Sequence, residues 1–477
     1  MPLFGTHKLT SLVGVATTVV LTGALASAAV QTHRPAKAAP KTQSKTPTFT
    51  KDIAPIVYQN CTTCHRPGQV APFSLVTYAD AKKRAQLIAA VTSSRAMPPW
   101  KAEPGFGEFH GARRLTDAQI ATLQKWADAG TPQGEARALP PLPHFPEGWQ
   151  LGKPDLILKM PKPYTVPADR PDVQRCFVVP IPVPKDSYVV GYEFRPSDTK
   201  VVHHAILYTD ASGVARKKQT ENEQKPGEVG YPSFGGPGFL PSTVLGAWVP
   251  GETPESLPDG IAKPLPANND LVIQTHFHPT GKPETEQSEV GIYFAKKPPT
   301  KLVEGVLEGN FAINIPPGDK NYIVRDSFTL PIDVHVLSIQ PHAHLLCKDM
   351  KVTATLPDGT TQPMIWIKNW DWNWQGAYSY DAPVSLPKGT RLDMVYTYDN
   401  SADNPHNPNN PPQWVRFGEQ TKDEMALCGL EVTADNTADA PALRQAMVWH
   451  LVSNFLARGS NPSGSPELGR GGLFPGR

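Results

Sequence analysis

The chain has 477 residues, a formal net charge of +2 and 53 prolines against 39% hydrophobic residues. A balance so near neutrality gives no electrostatic footprint for nucleic acid, and the length exceeds one ordinary domain, about three being expected. Proline at this density favours loop-rich β-structure over helical bundles.

His7 and Lys8 precede an apolar run from Leu9 to Leu25, and Ala26-Ser27-Ala28 offers a small-residue cleavage site. Residues 1–28 therefore read as a secretory signal peptide. The run is short for a membrane span, and no later stretch is long and apolar enough for one. The mature chain is expected to be exported, periplasmic or secreted, without an integral membrane span. Residues 29–47, largely Ala, Pro, Lys, Thr and Ser, read as a flexible linker.

Order is expected from about Thr50, where Ile53, Ile56 and Val57 are spaced as one helix face. That helix runs into Cys61-Thr62-Thr63-Cys64-His65. In C-x-x-C-H the two thiols form thioethers to the heme vinyl groups, and the adjoining histidine is held as an axial iron ligand. The competing reading is a redox C-x-x-C with an accidental histidine. Met97, in Arg95-Ala96-Met97-Pro98-Pro99-Trp100, is the preferred second ligand, and His110 in a Gly-rich loop is the alternative. A thioether ligand would raise the reduction potential. Thr116-Asp117-Ala118-Gln119 starts a capped helix with Ile120, Leu123 and Trp126 on one face and Gly130 as its stop. Residues 48–133 thus resemble a small all-α cytochrome c domain with one covalently bound heme c.

Residues 134–174 form a proline-rich linker into β-structure. Tyr188, Val190, Tyr192 and Phe194 alternate along one strand, and a second contains His203-His204. Adjacent histidines on a regular strand point to opposite faces. For both to hold one ion, the backbone must be distorted or the ion must sit near a strand end. Residues 210–266 read as long loops. The strand 271–278 places Gln274, His276 and His278 on one face, with a partner strand expected at 290–294.

In the last third, an alternating run leads into Gln340-Pro341-His342-Ala343-His344. Residues two apart on a strand share a side, so His342 and His344 can reach one ion. Imidazole suits copper, zinc and iron alike. A hairpin is expected at Asp358-Gly359, between strands at 352–356 and 362–367. The aromatic-rich stretch 369–380 reads mostly as core and rim packing. Met425, on composition alone, reads as a packed methionine.

Taken together, these motifs resemble the copper type II, ascorbate-dependent monooxygenase family, that of peptidylglycine α-hydroxylating monooxygenase and dopamine β-monooxygenase. The likeness covers roughly 175–432. It implies two consecutive all-β, jelly-roll-like β-sandwich domains, here 175–297 and 298–435, and two copper ions. One copper would be held by His203, His204 and His276, with Gln274 preserving a Gln-x-His pattern. The other, which binds O2, would be held by His342, His344 and Met425 behind Glu424. In peptide-amidating members an arginine and a tyrosine hold the substrate carboxylate. Gln340 and Gly429 stand at those positions here, so amidation is not expected. The whole chain looks like a bacterial fusion of a cytochrome c to such a monooxygenase. Its partners would be O2, a small-molecule or peptide-like organic substrate, and an electron donor, either an ascorbate-like reductant or a periplasmic redox protein. Two other readings share these motifs: a heme/copper electron-transfer protein without oxygenase activity, and a copper-binding module on a degenerate monooxygenase scaffold.

Beyond the C-x-x-C-H pair the cysteines are Cys176, Cys347 and Cys428, which allow at most one disulfide. Cys347 and Cys428 each lie three residues beyond a proposed ligand, so the two thiols could meet behind a shared ion. In the tail 436–477, Leu443, Met447, Val448, Leu451, Val452 and Phe455 mark an amphipathic helix ending at Gly459.

Overall fold

Runs in which every second residue is apolar become the strands that dominate this molecule. The computed structural model describes residues 46–146, 148–169, 172–233, 236–418 and 420–459. The expected signal peptide and most of the expected linker lie outside the described residues. Six strands position the functional side chains: β1 (Val173–Pro180), β2 (Val202–Asp210), β3 (Asp270–Phe277), β4 (Lys301–Gly309), β5 (Val334–His342) and β6 (Leu427–Ala434).

A five-stranded sheet runs in the order Tyr231–Pro232, β1, β3, β2, Thr243–Trp248. Its centre, β3, is buried along its whole length, as its Leu-Val-Ile start demands. An eight-stranded sheet runs Leu156–Lys159, Glu289–Phe294, Ser187–Arg195, Ile261–Leu265, β4, β6, β5, Tyr378–Leu386. Its first four strands face the five-stranded sheet across a core that includes Phe177, Leu207, Ile273 and Phe277 from one side and Phe194, Leu265 and Val290 from the other. Its last four face a four-stranded sheet of Tyr322–Thr329, Arg391–Tyr398, Cys347–Thr355 and Thr361–Ile367, with Val336, Ile339, Met350, Tyr396 and Tyr398 in the core between. Two β-sandwiches therefore share one sheet. They join where Ile261–Leu265 pairs in parallel with β4 over only two residue pairs, Lys301 with Ile261 and Leu302 with Ala262.

The α-helices among the described residues are α1 (Ala54–Asn60), α2 (Tyr78–Lys83), α3 (Ala85–Ser93), α4 (Asp117–Asp128), α5 (Val214–Asn222) and α6 (Ala440–Gly459). Helix α4 has the expected capping box, Thr116 with Gln119, and buries Leu123 and Trp126. Helix α6 lies where the tail periodicity placed it. The hairpin around Asp358-Gly359 also forms, by antiparallel pairing of Cys347–Thr355 with Thr361–Ile367.

The expected fold class, a separate small all-α cytochrome c domain ahead of two all-β domains, is not what forms. The structure is mostly sheet, its helices are short and distributed along the chain, and the chain from Thr46 onward is one compact unit. The physical reason lies in the segment between α3 and α4. Ala102 and Phe109 are buried in the core of the second sandwich, and Phe109 bridges to Tyr380 as a strand neighbour. The Glu103 N–H donates to the Trp366 carbonyl (2.8 Å) and the His110 N–H to that of Ser379 (2.8 Å). The stretch that carries His110, the alternative heme ligand, is instead built onto the sheet edge. A second correction concerns Glu289–Phe294. This strand does not pair with β3; it crosses to the other sheet, between Leu156–Lys159 and Ser187–Arg195.

A buried lysine reinforces the joint between the sandwiches. Lys263 donates to the Leu245 carbonyl (2.6 Å) in the five-stranded sheet and pairs with Glu431 on β6. Lys263 is 5% exposed, whereas the Glu431 side chain keeps 34% of its exposure, so removing the lysine leaves a carboxylate only partly desolvated. Lys263→Met is therefore expected to cost about 1–3 kcal/mol, less than a fully buried pair. The double variant Lys263→Met/Glu431→Leu should recover most of that loss. Urea unfolding of the three proteins checks this, and an unchanged midpoint for the single variant would show that the joint does not depend on the pair.

Candidate metal centre

The histidines of the first sandwich lie where β2 begins and β3 ends. These strands are antiparallel, so His204 and His276 are register partners. The ladder slips between Val202 and His204, leaving His203 as an extra residue in a β-bulge. The bulge removes the objection to adjacent histidines, because it turns both rings to one side. His203, His204 and His276 each offer a ring nitrogen, and these atoms lie within 4.8 Å of one another. The Nδ1 atoms of His203 and His204 are 3.1 Å apart.

Asp172, just ahead of β1, fixes the third ring. Its carboxylate accepts from His276 Nε2 (3.0 Å), from His278 Nδ1 (2.8 Å) and from the Thr421 hydroxyl (3.0 Å). That tautomer leaves His276 Nδ1 as the ligating atom, and it is buried with no hydrogen-bond partner among the described residues. An aspartate orienting an imidazole in this way is the usual support of a metal-binding histidine. Burial acts to raise the Asp172 pKa, but the bonds from His276, His278 and Thr421 outweigh it and hold the carboxylate well below its usual range. Burial, reinforced by His276, lowers His203 to about 4, and His204 falls well below its usual value for the same reasons. His203 and His204 are therefore neutral, and so able to ligate, through the physiological range.

The second set stands at the end of β5. The strand stops at His342, and His344 lies in the turn beyond it, yet the rings remain neighbours with centroids 5.4 Å apart. His342 Nδ1 lies 2.6 Å from Gln375 Oε1, and His344 Nδ1 lies 3.0 Å from the Asp423 carbonyl. Both contacts make Nδ1 the protonated atom and free Nε2 for an ion. Burial lowers His342 to about 4 and His344 to about 3. Glu424 draws the methionine segment in: its carboxylate accepts from the N–H groups of His344 (2.8 Å), Leu346 (2.6 Å) and Met425 (3.2 Å). Met425 is half-buried, and its carbonyl accepts from Tyr398 (2.6 Å). Between the two sets stands Trp372, stacked on His203 at 5.1 Å and edge-on to His344 at 5.0 Å.

The C-x-x-C-H residues follow α1. Cys61 and Cys64 are free and half-buried. Burial, with Cys64 beside it, pushes the Cys61 thiol up to about 12. His65 Nδ1 lies 3.1 Å from the Phe73 carbonyl, so Nε2 is the atom available to an iron. Unpaired thiols and a histidine so held fit a covalent heme. Cys64 Sγ is 3.9 Å from the Gly251 carbonyl, and a Cβ on Gly251 would come within 3.2 Å of that sulfur. Gly251 belongs to the turn after Thr243–Trp248, whose Trp248 pairs with Ala205, the neighbour of His204. Cys64 thus packs against the turn that follows that strand. Met97, half-buried beyond α3, lines a small cavity with Thr92, Trp100, Leu115 and Ile120. His110 is exposed and faces Asp381 at 3.5 Å. Cys176, Cys347 and Cys428 are buried free thiols.

Sequence reasoning found the histidines but not Asp172, Thr421, Trp372 or Gln375. His278, which had no assigned role, shares the Asp172 carboxylate. Gln274 lies within the sheet, accepting from Tyr208 (3.2 Å) and donating to Ser233 (3.1 Å). Among the described residues no helix is long and apolar enough to cross a membrane.

No protein-family model and no curated protein matches the chain. Among solved structures the chain is similar to PNGF-II, at 10% identity and a TM-score of 0.27, over 58% of this chain and 65% of that one. It is also similar to the major capsid protein P2 from bacteriophage PM2, at 10% identity and a TM-score of 0.23, over 58% and 97% of the two chains. Likeness at this level carries no argument about function.

Two outcomes are expected. Asp172→Asn, which keeps the shape but weakens the hold on His276, should lower divalent-metal affinity at the three-histidine site by about 10–100-fold; a competition titration measures it, and unchanged affinity would remove Asp172 from the site. The second concerns acid. His203, His342 and His344 titrate at about 4, 4 and 3 in the folded chain against about 6.5 unfolded. The unfolded chain binds more protons between those values, so stability is full above about pH 6.5 and is lost as pH falls toward 4. Metal-free protein should show a melting temperature that drops over this window, and the triple variant with asparagine at these positions should show a smaller drop.

Proposed function

We propose that the chain is an exported copper-dependent monooxygenase that hydroxylates a C–H bond with O2 and draws electrons through a covalently attached c-type heme. The observation that carries this reading is the bulge at His203. It gathers three imidazoles on one sandwich, while the pair His342 and His344 stands on the other with Trp372 between the two sets, and Glu424 ties the backbone of Met425 to that of His344. Copper held by these residues would supply one-electron redox chemistry and activation of O2, and the heme would supply electron delivery.

The residues of the chain divide the work. His203, His204 and His276 present only imidazole nitrogen. His342 and His344 add a soft thioether from Met425, a donor that favours the reduced ion. The assignment of O2 to the methionine site follows from that softness. Because His203, His204, His342 and His344 are neutral at physiological pH, taking up metal at those rings requires no proton to leave. Cys61, Cys64 and His65 would hold the heme, and the contact of Cys64 with the Gly251 turn supports electron delivery toward the first sandwich. Met97 would be the further residue to hold the heme. Gln340 and Gly429, which stand where amidating relatives clamp a carboxylate, are register partners on β5 and β6. Neither carries a charge, so the substrate is an organic molecule not held by a carboxylate at that point.

Purified holoprotein is expected to hold two coppers per chain and to reoxidise its own reduced heme only when O2 and substrate are both present, with a hydroxylated product found by mass spectrometry. Met425→His should retain copper and leave the heme reduced, slowing product formation about 100-fold or more, equivalent to at least ~2.7 kcal/mol of barrier. Hydroxylation by Met425→His at the wild-type rate would show that Met425 is only a packed side chain. Heme oxidation without any product would instead favour an electron-transfer protein.

A further inference from the structure

The stretch 370–375, read from sequence as packing, touches both histidine sets. The Trp372 indole lies face to face with His203, with centroids 5.1 Å apart and planes at 22°. The same ring meets His276 at 6.4 Å and 64°, and His344 at 5.0 Å and 81°. On either side of it, Trp370 Nε1 donates to the His344 carbonyl (2.9 Å), and Gln375 Oε1 holds His342 Nδ1. Gln375 Nε2 closes the loop onto the Trp372 carbonyl (2.9 Å). One six-residue segment therefore positions a ring of the first set and both rings of the second.

We propose that Trp372 is the positioning residue that couples the two metal sites, so that filling the three-histidine site strengthens binding at His342, His344 and Met425. This rests on the two-site reading above. An ion that fixes His203 also fixes the indole stacked on it, and with it the loop that presents His342 and His344. The conformational freedom the second site must lose has then already been removed. Coupling of this kind is reciprocal and typically amounts to a factor of 5–150. Repulsion between the two ions opposes it, but acts equally with or without the indole and so cannot explain a dependence on Trp372. An indole serving only as packing would change stability and leave the ratio of affinities untouched.

The test uses the full chain and Cu(I) under anaerobic competition with a chelator. Affinity at the methionine site is measured with the three-histidine site filled, and again in His204→Ala, where that site is disabled. The ratio is expected to be roughly fivefold or more in the wild-type background. It should fall to about one with Trp372→Ala, and be largely kept with Trp372→Phe, which retains a ring to stack. Trp372→Leu carries the same comparison if the alanine variant does not fold. Quenching of tryptophan fluorescence on filling the first site should be smaller in Trp372→Phe than in wild type. An equal ratio in wild type and Trp372→Ala, or a ratio of one in wild type, overturns the proposal. A wild-type chain that binds fewer than two Cu(I) ions overturns the two-site reading beneath it.

Discussion

The arrangement of this molecule depends on a very short parallel pairing, Lys301 with Ile261 and Leu302 with Ala262. Every other strand contact in the eight-stranded sheet is antiparallel. At this contact the sheet passes from Ile261–Leu265 to β4, and with it from one sandwich to the other. Parallel pairs are no stronger per residue than antiparallel ones, so two of them are a slender joint. The Lys263–Glu431 pair crosses the same junction and adds a directional constraint that apolar packing lacks. The histidines of β2 and β3 belong to one sandwich and those of β5 to the other, so their approach is a property of the joint and not of either core.

At the tips of the strands the regular ladder gives way, and the candidate metal-binding histidines are found there. A regular strand cannot turn His203 and His204 to one side; the bulge does. A strand continued through His344 would carry that residue along the sheet; the chain stops at His342, and Glu424 takes up the N–H groups of the turn. In both cases the departure from the ladder brings imidazoles together while the strand behind it, buried on both faces or alternating, fixes the base. Loops alone would leave such rings free to swing, and strands alone would point half of them away.

Much of this was legible in the sequence because period-two alternation and capping chemistry are local. The strand with His276, the run ending in His342, the Asp358-Gly359 hairpin and the capped start of α4 all follow from residues within a few positions of each other. The distortion at His203-His204 was also readable as a necessity, if two adjacent histidines were to share an ion, although its form was not. What could not be read was which surface an element packs against. Helical spacing in 48–133 is real, yet nothing in it says that Ala102 and Phe109 will be buried in a core built from residues more than two hundred positions later. Sequential strands pair often enough to make 290–294 the natural partner of β3, but its alternation is equally satisfied in the opposite sheet. Asp172, Trp372 and Gln375 gave no signal because each acts on a histidine far away in the chain, and a lone aspartate before a strand or a tryptophan among aromatics looks like packing.

The energetics of the candidate site argue for an occupant on their own terms. A buried polar atom without a partner costs about 1–3 kcal/mol, and proteins leave few of them. His276 Nδ1 is such an atom, although Asp172 shows that the fold can supply that same ring with a partner at its other nitrogen. The Nδ1 atoms of His203 and His204 face each other at 3.1 Å, where at most one proton can lie between them. If stability alone had shaped this corner, an apolar residue at any of the three positions would remove the cost without loss of packing. Three imidazoles crowded nitrogen to nitrogen, with the aspartate placed so that the inner atom is the bare one, make sense when a cation accepts what the protein withholds.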